Sequence, residues 1–174
     1  MKLDHDWFPA EIPPNVILGE HSWIYSSYAF VHFRSRKEGA VVVGSHSGIY
    51  NGTFFDVGEE GCVSVGDYST LVGPKISTNS SVQIGNYCLI AHAVVIADHP
   101  YALPPAARRI KDVRAEIKID DNVWIGAAAI ILGNVHIGAN AIIAARACVR
   151  SDVPANCIVA GNPARVVGFV SGGE

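Results

Sequence analysis

From Ile119 onward an aliphatic residue recurs at every sixth position: Ile119, Ile125, Ile131, Ile137, Ile143 and Val149. The next residue is often small, as at Gly126, Gly138 and Ala144. The same beat appears earlier as Leu18, Ile24, Phe30, as Val43, Ile49, Phe55, and as Ile84, Ile90, Ile96. A weaker copy runs Val65, Leu71 and then the Ile76–Ser77 step. Neither the 3.6-residue helix period nor strand alternation produces a six-residue beat, whereas a short strand followed by a tight turn does. The aliphatic residue then points inward, and the small one lets the chain pass close to its neighbours above and below.

Three such units return the chain to its starting face as one triangular coil of about 18 residues, and stacked coils bury a continuous aliphatic core. Coil starts at 18, 43, 65, 84, 119 and 137 are separated by 25, 22, 19, 35 and 18 residues, so the extras over 18 are 7, 4, 1, 17 and 0. Insertions therefore fall between coils, as extruded loops do. An ordinary β-sandwich with turn glycines would have no reason to hold six repeats in phase. The 21 Val and 18 Ile against 6 Leu and 1 Met favour pleated strands over helices. The expected fold is all-β, one domain over 1–174, with Met1–Asn15 as a cap over the first coil and 97–118 as an extruded loop. A capped end hides apolar strand edges.

Composition narrows location and partners. No apolar stretch reaches the length of a membrane span, and Met1–Trp7 lacks the order of a signal peptide. Cys62, Cys88, Cys148 and Cys157 lie far apart and read as small buried hydrophobes in a reducing cytoplasm. With 13 basic and 16 acidic residues, no basic surface for nucleic acid is implied.

The 17-residue extra lies between Ile96 and Ile119 and reads ADHPYALPPAARRIKDVRAEIK. Long loops inside compact repeats are usually functional. This one carries Asp98, His99, Tyr101, Arg108, Arg109, Lys111 and Arg114; its arginines also suit a merely solvated loop. His99 stands three residues past the last repeat position of its coil, at a corner. Counting one coil back places Asn79, Ser80 and Ser81 beside it, and counting forward places Asn134. A histidine fixed among polar neighbours suits general-base chemistry near neutral pH.

The segments IGNYCLIAHAVVIADHP (84–100) and NVWIG (122–126), with the closing CVRSDVPANCIVAGNPARVVG, resemble the hexapeptide-repeat acyltransferases. The likeness covers about residues 16–168. It is to the sugar O-acetyltransferase branch, which includes galactoside, maltose, nodulation-factor and surface-polysaccharide acetyltransferases. It implies a left-handed parallel β-helix, a handedness that periodicity does not supply. It further implies acetyl transfer from acetyl-CoA to a sugar or polysaccharide hydroxyl, with His99 taking the hydroxyl proton and no metal required. Asn79, Asp98, Tyr101, Arg108, Arg109 and Trp124 would bind or orient the acceptor. Ala127 and Ala145 would line the thioester arm, with Arg150 and Arg165 near the phosphates. Ser151 stands where the family often has a phosphate-binding lysine, Gly168 replaces a further arginine, and Arg146 replaces a usual glycine.

Other chemistries share this fold. The same base could deprotonate the amine of an amino-sugar nucleotide. His92, in the segment Ile90-Ala91-His92-Ala93, resembles the base of the lipid A acyltransferases, although the following aspartate is Ala93 here. A zinc carbonic anhydrase of this fold needs a second histidine five positions after His92, and that residue is Ala97. A scaffold role would need neither the DHP segment nor the NPAR terminus. Finally, a prism with 17% charged residues cannot make all three faces strongly polar. The resemblance implies a homotrimer with active sites between subunits.

Overall fold

The computed structural model describes residues 1–98 and 115–170, which wind into a parallel β-solenoid of about six coils. The first sheet stacks β1 (Val16–Leu18), β3 (Val41–Val43), β6 (Cys62–Val65), β9 (Ser81–Ile84), β12 (Glu116–Ile119) and β15 (Val135–Ile137). The second stacks β2 (Trp23–Ile24), β4 (Gly48–Ile49), β7 (Thr70–Leu71), β10 (Leu89–Ile90), β13 (Trp124–Ile125), β16 (Ile142–Ile143) and β18 (Cys157–Ala160). An antiparallel strand, β19 (Arg165–Phe169), closes its upper edge. The third holds β5 (Phe54–Val57), β8 (Lys75–Thr78), β11 (Val95–Ala97), β14 (Ile130–Leu132) and β17 (Cys148–Val149).

Register reproduces the sequence beat. Leu18 pairs with Val43, Val43 with Val65, Val65 with Ile84, Ile84 with Ile119, and Ile119 with Ile137. Ile49, Leu71, Ile90, Ile125 and Ile143 on the second sheet and Phe55, Ile76, Ile96 and Ile131 on the third are all essentially inaccessible. The six-residue aliphatics are thus the inward ridge of the prism. On the third side of coil 1, Phe30 also points inward, but from a 3-10 turn (Ser27–Phe30) in place of a strand. Its ring stacks on Phe55 at 5.1 Å. The hydroxyl of Ser26 caps this turn by accepting from the Tyr28 N–H.

Residues 1–15 lie against this first coil. Ile12 is buried and Leu3 packs on the core. His5 stacks on Trp23 at 4.2 Å, and the Asp6 carboxylate accepts hydrogen bonds from Ser26, from Ser27 and from the Phe8 N–H. Partial desolvation pushes the Asp6 carboxyl up, but these hydrogen bonds outweigh it and hold the group well below the usual carboxylate range.

The corner joining first to second sheet explains the small residue after the beat. A Cβ on Gly66 would sit 2.7 Å from the Gly85 carbonyl carbon of the next coil. Two residues on, the chain turns through a left-handed residue in every coil: His21, His46, Tyr68, Tyr87, Asn122, Asn140 and Asn156 all have φ between 55° and 60°. Non-glycine residues at such φ are uncommon, and Asn and His are among the enriched types. Here they stack into a column. His46 and Tyr68 rings lie 4.8 Å apart, Tyr68 and Tyr87 5.1 Å, and above them Asn122, Asn140 and Asn156 join amide to amide at 2.9 Å.

The outer faces differ in chemistry. The first sheet presents Ser64, Gln83, Lys118 and His136, whereas the second presents exposed Leu89 and Trp124. Among the described residues, no helix is long and apolar enough to cross a membrane, and all four cysteines are unpaired.

Candidate active site

β11 runs through Ala97, and β12 begins at Glu116, paired to β9 and β15. The insertion is therefore narrower than the 97–118 boundaries of the sequence reading. His99, Tyr101, Arg108 and Arg109 fall outside the described residues.

The last described residue before the insertion is Asp98, only 3% exposed. Its Oδ2 accepts from Thr78 Oγ1 at 2.7 Å, from the Asn79 N–H at 2.7 Å and from the Ser80 N–H at 3.0 Å. Thr78 Oγ1 in turn accepts from the Ser80 N–H at 3.0 Å. A buried carboxylate is tolerated because its lone pairs are filled by donors, and charge-assisted bonds of this kind are the strong ones. Asp98 thus orients the corner by tying it to the coil below, and its carboxylate is committed there. Asn79 is exposed, and its amide oxygen covers Gly58, where a Cβ would collide with it. On the coil above, the Gly133 N–H donates to the Ala97 carbonyl at 3.0 Å and the Asn134 side chain accepts from the Glu116 N–H at 3.0 Å. The described corner thus has Asp98 tied to Thr78, Asn79 and Ser80 below it, and Asn134 bonded to Glu116 in the coil above.

Other residues from the sequence reading lie elsewhere. Trp124, 50% exposed, points outward from the second sheet, across the prism from the Asp98 corner. Ala127 and Ala145 are exposed and successive on the corner joining second to third sheet, where the Arg146 N–H donates to the Ala127 carbonyl at 2.9 Å. His92 occupies the same corner one coil below, its carbonyl accepting from the Ala128 N–H. Arg146 is exposed and left-handed at φ 61°, as are Ala93 and Ala128 at the same turn position of the coils below, at 58° and 56°. Arg150 follows β17 and is exposed. Arg165 lines a cavity of about 350 Å³ with Ser151, Asp152 and Pro154.

Sequence reasoning missed one polar group. On the first sheet Asp120 accepts from His136 Nε2 at 2.8 Å and pairs with Lys118 Nζ at 3.1 Å. Partial burial pushes the Asp120 carboxyl up, but the His136 and Lys118 contacts prevail and hold it below the usual range. Adding one coil to Lys118 lands on His136, so the 18-residue offset could have revealed the pairing. Among the described residues no group of three or more His, Cys, Asp or Glu side chains could hold a metal ion.

Residues 116–151 match the family model described as bacterial transferase hexapeptide (six repeats). The chain is 38% identical over 98 residues to serine acetyltransferase 4 of Arabidopsis thaliana, covering 56% of this chain and 27% of that protein. It is 33% identical over 90 residues to galactoside O-acetyltransferase of Lactococcus lactis subsp. lactis (strain IL1403), covering 51% and 43%. It is 37% identical over 91 residues to 2,3,4,5-tetrahydropyridine-2,6-dicarboxylate N-acetyltransferase of Staphylococcus aureus (strain MRSA252), covering 52% and 32%. The match thus spans less than half the length of these relatives. Among solved structures, AntD, an N-acyltransferase from Bacillus cereus in complex with dTDP and 3-hydroxybutyryl-CoA, superposes with a TM-score of 0.68 at 16% identity, covering 90% of this chain and 85% of that one. A hexapeptide-repeat acetyltransferase from Vibrio cholerae O1 biovar eltor, complexed with acetyl coenzyme A, gives 0.55 at 21% identity, covering 88% and 70%. These likenesses establish the solenoid fold. The register of the coils continues on both sides of the 116–151 segment that matches the hexapeptide-repeat transferase model.

Proposed function

We propose that the chain is an acetyl-CoA-dependent acetyltransferase acting on a hydroxyl of a sugar or polysaccharide, with His99 as general base. The observation that carries this reading is the buried Asp98 corner, where the residue immediately before His99 in sequence is tied to Thr78, Asn79 and Ser80 of the coil below. A sugar hydroxyl is a weak nucleophile until a base removes its proton as the new bond forms. The hydroxyl oxygen attacks the thioester carbonyl, the C–S bond breaks, and the proton held by the imidazole passes to the leaving thiolate. No covalent enzyme intermediate is needed. Ala127 and Ala145 leave room for the thioester arm, while Arg165 and Arg150 supply cationic contacts toward the CoA phosphates.

The active unit is a homotrimer. In one chain Trp124 lies across the prism from the Asp98 corner, so a shared acceptor site takes Trp124 from a neighbouring copy. The apolar outer face of the second sheet suits burial in such a contact.

A second reading, N-acetylation of an amino-sugar nucleotide, is favoured by the likeness to N-acyltransferases, and the same base serves it. A free-thiol release assay with acetyl-CoA against monosaccharides, oligosaccharides and nucleotide amino sugars tests both. An alkali-labile product marks an ester and a stable one an amide. His99→Ala should lower transfer about 10²–10⁴-fold, the usual share of a general base. Loss of activity in His92→Ala with full activity in His99→Ala would overturn the assignment.

A further inference from the structure

Strand alternation leaves Phe54 and Asp56 on the outer face of the third sheet, because Phe55 and Val57 are fully buried. At the base of that face the exposed Trp7 (64%) joins a cluster of rings. Trp7 lies 5.6 Å from Tyr28, and Tyr28 lies 5.3 Å from Phe54. The Trp7–Tyr28 pair is tilted by 44° and the Tyr28–Phe54 pair by 72°, so the rings do not cover one another face to face. One coil up, Phe54 pairs with Lys75 and Asp56 with Ser77. The Ser77 hydroxyl donates to Asp56 Oδ2 at 3.1 Å, and Arg34 meets Oδ1 of the same carboxylate at 3.1 Å. Lys75 is exposed and pairs with no carboxylate among the described residues. A second coil up, Lys75 pairs with Val95 and Ser77 with Ala97, the residue before Asp98.

We propose that this face, from Trp7 to Asp98, is a binding track for an extended saccharide chain, with the ring cluster holding sugars distal to the one that reacts. Tyrosine and tryptophan offer rigid faces whose negative quadrupole attracts the polarised C–H face of a pyranose. The interleaved Asp56, Ser77 and Lys75 supply acceptors and donors for hydroxyls. Neither an aliphatic helix nor a lipid tail needs that alternation. Length points the same way: Phe54 and β11, the strand that ends at Ala97 just before Asp98, are two strand spacings of about 4.8 Å apart, and two ring contacts extend the row further. One sugar ring cannot reach both ends. The track rests on the saccharide reading above and adds that the acceptor is an oligomer or polymer.

The test is binding of the labelled full-length chain, without acetyl-CoA, to an immobilised array of monosaccharides and oligosaccharides of increasing length. Retention should rise with glycan length. Trp7→Ala and Tyr28→Ala should each weaken the longer glycans roughly tenfold, the order expected from one aromatic contact, and Trp7→Phe should recover most of the loss. Circular dichroism and Tm of each variant separate lost binding from lost folding. A flat length profile, undiminished binding by folded variants, or retention of no glycan overturns the track. Because no donor is present, failure of acetyl transfer in the thiol assay leaves this result readable, and active transfer with a flat length profile removes the track alone.

Discussion

Asp98 places a carboxylate inside the solenoid wall and fills one of its oxygens with three donors from the coil below. Removing it strands the buried Thr78 hydroxyl and takes an acceptor from the Asn79 and Ser80 N–H groups, so Asp98→Ala should cost about 1–3 kcal/mol in a denaturant titration. Asp98→Asn keeps the shape and should cost less. Asp120 shows the pH side of the same chemistry. Its folded pKa lies below the unfolded value of about 3.9, so the contribution is complete above that value and is lost as pH falls through the folded pKa. The Tm difference between wild type and Asp120→Asn should therefore be largest near neutrality and shrink below about pH 4; a difference constant with pH would show that the pairing with His136 and Lys118 is not its source. At this scale the sequence was informative where spacing fixed neighbours, as for Asn79 and Ser80 one coil below Asp98. It was silent on which polar atoms each side chain would meet, because that depends on side-chain direction across coils.

Each corner works as an element only because its residues repeat in register. At Gly126 a Cβ would lie 2.6 Å from the Ala145 nitrogen, against backbone that cannot yield. Gly126→Ala should cost about 1–3 kcal/mol by overpacking, read as a lower denaturant midpoint with unchanged m. The left-handed column separates two replacements at one position. Asn140 at φ 60° should accept glycine with little loss, whereas Asn140→Val should be destabilised by ~1–2 kcal/mol. Thermal melts of the pair distinguish the two. The glycine-plus-two spacing of this column is visible in the sequence as Gly44-Ser45-His46, Gly66-Asp67-Tyr68 and Gly85-Asn86-Tyr87. Its meaning is not, since tyrosine rarely marks a left-handed turn in isolation and does so here because ring stacks on ring.

For the whole molecule, the three faces of the prism have different fates. The first sheet presents Ser64, Gln83, Lys118 and His136, the third Phe54, Asp56, Lys75 and Ser77 in its lower coils, and the second exposed Leu89 and Trp124. If the proposed trimer buries the second face, Trp124→Arg should shift sedimentation from trimer to monomer while the coil spectrum persists. A wild-type chain that sediments as a monomer at working concentration would remove both the trimer and the shared site.

The six-residue beat by itself determined the solenoid, its coil boundaries and the corner that carries the insertion, because a period is a one-dimensional quantity that stacking preserves. Even the 3-10 turn at Phe30 keeps its inward phase. Only the tertiary structure decided that Asp98 faces inward to Thr78, that Trp124 stands across the prism from it, that Lys118, Asp120 and His136 form one network, and that Trp7, Tyr28 and Phe54 share a face. Those are contacts between residues distant in sequence, and the direction of each side chain, which a period does not carry, sets them.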